Sequence, residues 1–404
     1  MLQPTMTPRY ADRVSGMQAS EIRELLKIVN NPGIISFAGG IPDPALFPLD
    51  QVRAAYSEVL ASDSALQSGL QYSISEGDAE LREWIAAHMK TLGVDCTADN
   101  ILITNGAQQG LEFLGKLFIS PGDEVLVAAP TYLGALQAFA QNEPRYATFK
   151  ANPNGTVEVT PPEATGGTGR TGFMYVVPDF ANPSGETIGE QGRLGVLDIA
   201  TARKTMIVED SPYEMLRFDG LRQPSIQSLD IERCGSIDNS RVIHCGSFSK
   251  VFMPGLRVGW ICARQDVISK LVLIKQSSDL NASAINQRVV LSLARTQYAA
   301  QVEKACAHYR ARRDAMLESL PAHLPEGSQW TKPDGGMFIW VELPEGYDTA
   351  ALLPKASHTH GVAYVPGAAF FADGAGRNTM RLSYSLPGPD DIRTGCARLG
   401  AALA

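Results

Sequence analysis

Short apolar runs alternate with amphipathic stretches through the first two-thirds of the chain. Seven runs rich in β-branched and aromatic residues predict strands, and they begin at residues 100 (NILIT), 123 (DEVLVAAP), 145 (RYATF), 172 (GFMYVVP), 205 (TMIVED), 241 (RVIHCGS) and 257 (RVGWICA). Between them, apolar residues recur every three or four positions in stretches such as GAQQGLEFLGKLF, which predicts helices. Strands that alternate with helices are typical of an α/β fold with a mainly parallel sheet and crossover helices.

The pattern changes after about Ala282. A long helical run continues through Leu320, and it is followed by two strand-like segments, GGMFIWVELP and TMRLSYS, and a last helix. We therefore expect residues 49–285 to form a large α/β domain with a seven-stranded sheet and residues 286–404 to form a smaller α+β domain. We expect residues 1–48 to join the smaller domain.

Composition and charge narrow the classes of function. With 44% hydrophobic and 19% charged residues, the chain is typical of globular proteins. Its net charge of -8, without clustered Lys and Arg, disfavours nucleic-acid binding. No apolar stretch approaches the roughly 20 residues of a membrane span, and the N-terminus lacks the apolar core of a signal peptide. We expect a cytoplasmic protein without membrane or nucleic-acid partners.

The six cysteines lack C-x-x-C spacing, so the sequence indicates neither a zinc site nor a disulfide framework. Chemistry is expected instead where polar residues follow predicted strands, because active sites of open α/β sheets lie at the carboxyl ends of their strands. Gly106 follows the first strand and opens a helix whose amides suit a phosphate, although glycine at such turns often serves turn geometry alone. Asp210 ends the fifth strand, where it either meets a positive partner or caps the next helix.

The segment GSFSKVFMPGLRVGW concentrates reactive side chains after the sixth strand. Ser247, Ser249 and Lys250 lie within four residues, and Arg257 follows seven residues later. Ser247 and Lys250 match the S-x-x-K pattern of serine acyl-enzymes, but the Ser-Asp-Asn and Lys-Thr-Gly elements of those enzymes are missing. The other chemistry is a lysine that holds an aldehyde cofactor, with hydroxyls and an arginine to bind the cofactor's phosphate.

Six segments occur in an order that identifies a family: TNGAQQGL, APTYLGALQAF, VPDFANPSGETI, VEDSPYEML, GSFSKVFMPGLRVGW and RLSYS. The chain resembles the fold-type I, pyridoxal 5'-phosphate-dependent aminotransferases of class I/II over nearly its whole length. The segments SFAGGIPDPALFP, QYSISEG and PGLRVGW are most similar to the 2-aminoadipate/kynurenine aminotransferase branch.

The resemblance implies which residues act on the cofactor ring. Lys250 would hold the cofactor aldehyde as a Schiff base and carry the proton that leaves the substrate. Asp210 would keep the ring nitrogen protonated, and Asn182 and Tyr213 would hydrogen-bond to the ring's 3-oxygen. Tyr132 would stack on the ring.

The resemblance also implies a site for the cofactor's phosphate. The residues that would bind it are Gly106, Ala107, Gln108, Ser247, Ser249 and Arg257. Amides at a helix start, hydroxyls and a guanidinium are chemically suited to a phosphate. Tyr72 would reach the phosphate of the neighbouring subunit's cofactor, so the resemblance implies a homodimer with shared active sites.

Arg381, in RLSYS, would pair with the substrate α-carboxylate, although a surface arginine on a strand is the more ordinary interpretation of the local sequence. The other substrate-binding residues that the resemblance implies are Asn182, Gly39, Gly40, Arg23 and Tyr72. Residues 1–48 would cover the active site, where Arg23 would bind a side-chain carboxylate. The charged neighbours of Arg23 fit a solvated helix face equally well.

The activity implied is exchange of an amino group between an L-amino acid and a 2-oxo acid such as 2-oxoglutarate or pyruvate. The amino acids expected are 2-aminoadipate, glutamate, leucine or an aromatic one. Two alternatives stay open: a β-lyase or decarboxylase reaction on the same fold, and a non-catalytic regulator that binds the cofactor. Regulators of that kind carry an additional DNA-binding segment, and the acidic charge argues against one.

Overall fold

The computed structural model of this chain describes residues 9–11, 13–14, 33–162 and 167–404. The strands are β1 (Ile35–Ser36), β2 (Ile101–Thr104), β3 (Glu124–Ala128), β4 (Arg145–Ala151), β5 (Val157–Thr160), β6 (Thr171–Val176), β7 (Met206–Asp210), β8 (Val242–Ser247), β9 (Gly259–Cys262), β10 (Gln329–Trp330), β11 (Phe338–Glu342), β12 (Val362–Ala363), β13 (Val365–Pro366) and β14 (Thr379–Ser383). The α-helices are α1 (Leu49–Val59), α2 (Asp63–Leu70), α3 (Ala79–Thr91), α4 (Ala107–Phe118), α5 (Leu133–Ala140), α6 (Glu190–Ala202), α7 (Ile226–Cys234), α8 (Gln265–Ser278), α9 (Ala284–His323), α10 (Thr349–Pro354) and α11 (Pro389–Leu403).

A large sheet contains eight strands in the order β2-β9-β8-β7-β6-β3-β4-β5. Its central pairs, from β4 through β3, β6 and β7 to β8, are parallel, whereas β9 and β5 run antiparallel to their neighbours. The α/β class and the mainly parallel sheet are confirmed, and all seven predicted strands are present. The eighth strand, β5, was not predicted because it is a short edge strand whose side chains alternate between half-buried and exposed.

The central strands bury both of their faces. Along β6, Phe173 and Tyr175 pack into one hydrophobic core, while Met174 and Val176 pack into another on the opposite face. Successive side chains of a strand point to opposite faces of the sheet, so helices must cover both faces to bury all four residues. This double burial explains why the predicted strands appear in the sequence as continuous apolar runs.

Two smaller sheets lie apart from the large one in the sequence. Strands β10, β11, β14 and β13 form a four-stranded antiparallel sheet, and β1 pairs in parallel with β12. The 40-residue helix α9 connects the large sheet to the C-terminal strands. The pairing of β1 with β12 joins residues near 35 to the C-terminal part of the chain, while the boundaries at 49 and 286 stay predictions.

The strand directions bring several polar turns to one edge of the large sheet. Strands β6, β7 and β8 are parallel, and β2 points the same way because β9 separates it from β8 by two antiparallel steps. The residues that follow these four strands therefore meet at a common carboxyl edge. Within the ranges that the structure describes, no helix combines the length and the apolar composition needed to cross a bilayer.

Candidate active site

A cavity of about 280 Å³ opens at the carboxyl edge of the large sheet. This volume lies just below the roughly 300–1,000 Å³ range of small-molecule sites. The sequence-predicted residues that line it are Gly39, Gly40, Ala107, Gln108, Tyr132, Asn182, Asp210, Tyr213, Ser247, Ser249, Lys250, Arg257 and Arg381. The structure thus brings together residues that lie far apart in the sequence, from the N-terminal part of the chain to its last strand.

Lys250 lies in the turn after β8, and its side chain enters this cavity. The ammonium Nζ donates a hydrogen bond to the Gly40 carbonyl at 3.1 Å and lies 5.8 Å from the centre of the Tyr213 ring. Burial, together with the positive charges of Arg381 and Arg257, lowers the pKa of Lys250 to about 8. The cavity therefore favours the neutral, nucleophilic amine far more than water does.

Asp210 is the last residue of β7 and is 2% exposed. Its Oδ2 accepts a hydrogen bond from the Tyr175 hydroxyl at 2.7 Å, while its Oδ1 is buried without a hydrogen-bond partner among the residues that the structure describes. Burial raises the pKa of Asp210 to about 6. A turn rather than an α-helix follows, so Asp210 does not cap a helix; its side chain lines the cavity, and one carboxylate oxygen has no partner among the described residues.

A buried histidine lies on the strand next to Asp210. His244 of β8 pairs with Glu209 across the sheet, and its ring nitrogens lie 3.7 Å from Glu209 and 3.8 Å from Glu214. Burial alone would lower the pKa of His244, but the two carboxylates together raise it above the ordinary value. A positive charge on His244 in turn helps to keep Asp210 ionised.

Arg381, on β14, is almost fully buried beside the cavity. Its guanidinium donates to Asn182 Oδ1 at 2.8 Å and to the carbonyls of Ala38 and Gly39 at 2.9 and 2.8 Å. The guanidinium carbon lies 4.4 Å from the centre of the Phe338 ring. Burial lowers the pKa of Arg381 to about 10, still well above neutral pH. All three acceptors are neutral, so its positive charge is available to an anion.

We use the name anion cradle for a group of six residues, of which five line the cavity and Gly106 lies against the Arg257 guanidinium: Gly106, Ala107, Gln108, Ser247, Ser249 and Arg257. Gly106 precedes helix α4 with φ of +79°, and a Cβ added there would collide with the Arg257 guanidinium. The Ser247 hydroxyl donates to Ser249 Oγ at 2.9 Å and accepts from the Ser249 amide at 3.0 Å. Helix amides, hydroxyls and a guanidinium thus converge as a phosphate would require.

Two tyrosines complete the wall of the cavity. The Tyr132 hydroxyl donates a hydrogen bond to Gln108 Oε1 at 3.3 Å, and Tyr213 packs edge-on against Phe338 with ring centres 5.7 Å apart. Burial raises the pKa of both hydroxyls, so both are neutral and able to donate hydrogen bonds at physiological pH.

Two of the described sequence-predicted residues do not line the cavity, and the position of a third is not tested. Gly106 lies directly behind Arg257, Tyr72 is 79% exposed, and Arg23 is outside the described residues. The role predicted for Tyr72 concerns the site of another subunit, so its exposure in one chain leaves that role a prediction.

The sequence did not reveal two residues that shape the site. Phe338 lies against both Arg381 and Tyr213, and Tyr175 fixes one oxygen of Asp210. Both occur inside apolar strands, where an aromatic residue is expected for packing alone. The one signal that could have indicated Tyr175 is its hydroxyl within an apolar strand, because a buried tyrosine hydroxyl usually has a hydrogen-bond partner.

Comparison with known proteins gives consistent matches over almost the whole chain. The family model described as aminotransferase class I and II matches residues 33–399. Aromatic-amino-acid aminotransferase 1 of Thermococcus litoralis is 40% identical over 400 residues, covering 98% of this chain and 94% of the relative. The 2-aminoadipate transaminase of Thermus thermophilus is 40% identical over 387 residues, covering 96% of this chain and 94% of the relative.

Solved structures give the same picture. The alpha-aminoadipate aminotransferase LysN from Thermus thermophilus, complexed with N-(5'-phosphopyridoxyl)-L-leucine, matches with a TM-score of 0.86 and 37% sequence identity. The match covers 98% of this chain and 97% of LysN.

Proposed function

Since this chain belongs to the class I and II aminotransferase family and is a transaminase, we propose that its cavity binds pyridoxal 5'-phosphate and exchanges an amino group between an L-amino acid and a 2-oxo acid. The observation that carries the proposal is the convergence of the Lys250 amine, the free Asp210 carboxylate oxygen and the buried Arg381 guanidinium on one cavity. These three groups have the chemistry needed to bind the cofactor's aldehyde, its ring nitrogen and a substrate carboxylate.

The residues of the cavity fit this cofactor. The free oxygen of Asp210 is buried and lacks a partner among the described residues, which is costly unless a donor such as a protonated ring nitrogen meets it. The anion cradle has the composition of a phosphate site, and Tyr132 offers a ring for stacking. LysN was solved with a phosphopyridoxyl ligand, which supports the same class of ligand for this chain.

The proposed mechanism divides the work between residues of this chain. When bound, pyridoxal phosphate supplies an aldehyde that reacts with amines and a ring that draws electrons from the substrate's α-carbon. Lys250, with its lowered pKa, would release the cofactor to the substrate and then act as the base that removes the α-proton. Asp210 would accept a hydrogen bond from the protonated ring nitrogen. Asn182 and Tyr213 would donate hydrogen bonds to the ring's 3-oxygen.

Arg381 would orient the substrate. Arg381 Nη1 and Nη2 are held by three acceptors, while Nε–H is buried without an acceptor among the described residues. An α-carboxylate could accept from Nε–H and from the second hydrogen of Nη1, and this contact would fix the direction of the α-C–H bond. Gly40 supports this role because a Cβ there would approach the Phe338 ring at 3.0 Å and the Arg381 guanidinium at 3.7 Å. A side chain at Gly40 would therefore crowd the space beside the guanidinium.

Arg381→Lys should reduce kcat/KM for amino acids by about 10–100-fold, because an ammonium cannot replace a bidentate guanidinium and charge-assisted hydrogen bonds contribute about 1.5–3 kcal/mol. Most of the loss should appear in KM for the amino donor. Steady-state kinetics with leucine and glutamate measure the effect. Arg393→Lys, at an exposed arginine of α11, is the matched control and should behave as wild type. Unchanged kinetics for Arg381→Lys would remove Arg381 from the substrate site.

We also propose a homodimer in which Tyr72 reaches the active site of the partner subunit. Leu70, Tyr72 and Ile74 are 69%, 79% and 54% exposed and alternate along one short segment. Such a run of exposed apolar side chains supports a protein-protein interface at this segment.

The proposed amino donors are 2-aminoadipate, glutamate, leucine or aromatic amino acids, and the proposed acceptors are 2-oxoglutarate or pyruvate. Relatives named for 2-aminoadipate and for aromatic amino acids support this range of donors. Arg23, outside the described residues, stays the predicted determinant for acidic donors. A cytoplasmic location is supported by the six cysteines, all of which are free thiols, because disulfides are rare in reducing compartments.

A half-reaction experiment tests the proposed function. Holoenzyme mixed with each amino donor alone should convert its cofactor from the aldehyde to the amine form, and the amine form should persist until a 2-oxo acid restores the aldehyde. Absorbance of the cofactor follows both steps, and a panel of donors with 2-oxoglutarate and pyruvate identifies the substrates. Release of carbon dioxide or ammonia without a stable amine form would instead indicate a decarboxylase or a β-lyase. A cofactor spectrum that responds to no amino acid would favour a regulator.

A further inference from the structure

A buried lysine lies behind the anion cradle, outside the cavity. Lys275, on helix α8, has a fully buried side chain, and its Nζ lies 2.9 and 3.0 Å from the two carboxylate oxygens of Asp279. Nζ also donates to Gln109 Oε1 at 3.4 Å. Burying an ammonium is costly unless a charged, hydrogen-bonded partner compensates it, and Asp279 is that partner for Lys275.

The same carboxylate of Asp279 holds the turn that precedes the cradle. Its Oδ2 accepts hydrogen bonds from the side-chain amides of Asn105 at 2.6 Å and Gln109 at 2.8 Å. Gln109 Oε1 in turn accepts from the Asn105 backbone amide at 2.9 Å. Asn105 is thus held at its side chain and at its backbone by one network that is anchored on Lys275.

Asn105 connects this network to the cradle itself. Its carbonyl accepts a hydrogen bond from Arg257 Nη2 at 3.1 Å, and the next residue is Gly106, whose positive φ starts helix α4. Any shift of Asn105 would therefore move both the Arg257 guanidinium and the helix amides. Lys275, Asp279, Asn105 and Gln109 are all absent from the cavity lining, so they would act through the cradle and not by touching a ligand.

We propose that Lys275 and Asp279 are a positioning pair that holds the anion cradle in the geometry that binds the cofactor's phosphate. The inference rests on the proposed function, because it takes the cradle to be a phosphate site. Lys275 has a second effect: it neutralises the Asp279 carboxylate, which would otherwise lie as an uncompensated negative charge behind a dianionic phosphate.

The test compares two ligands that differ only in the phosphate. Pyridoxal 5'-phosphate and pyridoxal share the ring and the aldehyde, so the ratio of their dissociation constants isolates the phosphate contribution. Titration of apoenzyme with each ligand, followed by cofactor absorbance, gives both constants. Lys275→Met should raise the dissociation constant of pyridoxal 5'-phosphate by about tenfold or more and leave that of pyridoxal within about twofold. Lys270→Met, at an exposed lysine of the same helix, is the matched control.

A double variant that removes both charges separates an electrostatic effect on the phosphate from a general destabilisation of the fold. Lys275→Met combined with Asp279→Asn removes both charges, so it should regain only the part of the phosphate preference that Lys275→Met loses to the uncompensated carboxylate. The part that depends on positioning should stay lost, and full recovery would contradict the positioning role. Gln109→Leu keeps the ion pair but breaks one link to Asn105, and it should weaken pyridoxal 5'-phosphate several-fold without weakening pyridoxal. This variant preserves the test if Lys275→Met does not fold.

Two results would overturn the inference, and a further variant shows which premise failed. Equal weakening of both ligands would mean that the pair only stabilises the fold, and unchanged constants in Lys275→Met and Gln109→Leu would mean that the pair does not position the cradle. Arg257→Ala should reduce the preference for the phosphorylated ligand by about tenfold or more, because it removes the one cationic group of the cradle. If it does not, the cradle is not the phosphate site and the proposed function itself is wrong at this point. If it does while the Lys275 and Gln109 variants behave as wild type, only the positioning role is wrong.

Discussion

Replacing Lys250 with alanine should abolish transamination while the protein still binds pyridoxal 5'-phosphate. The cradle, Asp210 and Tyr132 would still hold the phosphate and the ring, but among the described residues no other lysine lines the cavity to link to the aldehyde or to move the α-proton. A positioned general base alone contributes about 10²–10⁴-fold, so we expect a loss of at least that size in kcat.

Cofactor absorbance and chemical rescue make this result specific. The bound cofactor should lose the absorbance band of the lysine-linked form and show that of the free aldehyde. Small primary amines added to the variant should restore part of the activity, because they can act as bases in the space that the side chain vacates. Lys270→Ala, at an exposed position on α8, should keep wild-type turnover and spectrum. Turnover retained by Lys250→Ala would refute the assignment.

Replacing Asp210 with asparagine should lower kcat by about 10²–10³-fold, the usual cost of removing one electrostatic group that stabilises charge in a transition state. The amide is nearly isosteric, so the hydrogen bond from Tyr175 can persist while the negative charge opposite the ring nitrogen is lost. Without that charge the ring nitrogen should lose its proton at neutral pH, and the ring should become a weaker electron acceptor.

The protonation state of the cofactor measures this effect directly. Nitrogen NMR of isotopically labelled cofactor should report a protonated ring nitrogen in wild type and a neutral one in Asp210→Asn. Asp390→Asn, at an exposed carboxylate of α11, serves as the control for loss of one negative charge. A protonated ring nitrogen in Asp210→Asn, with little change in kcat, would contradict the role of Asp210.

The central strands of the large sheet were predictable from the sequence because they are buried on both faces. In the run GFMYVVP, polar residues do not alternate with apolar ones as they do in a half-exposed strand. The sequence therefore predicts β6 as a buried strand. Strand β5 was missed for the opposite reason: only four residues long and half-exposed at the sheet edge, it leaves a weak pattern. As an edge strand, β5 pairs only with β4, and the tertiary fold rather than the local sequence brings these two segments together.

Candidate site residues were predicted where a local motif surrounds them, and missed where they act through packing. Lys250 and Asp210 directly follow or end apolar strands, which marks them as polar groups at a sheet edge. Two residues outside the cavity lining carry no such motif: Tyr175, which bonds to Asp210, and Lys275, which we propose to position the anion cradle. Tyr175 lies inside a strand, and Lys275 lies on an ordinary amphipathic helix, where a lysine is expected to be solvated.

The sequence by itself determined the order of strands and helices, the chemical types that follow each strand, and through its motifs the family. Only the tertiary structure decided the properties that make these residues reactive. Arg381 meets Asn182 across 199 positions, and its charge helps to bring the pKa of Lys250 to about 8. Burial and Coulomb interactions depend on distances in space between groups far apart in the chain. A local pattern specifies which groups are present, whereas the packed fold sets the distances that determine their charge states.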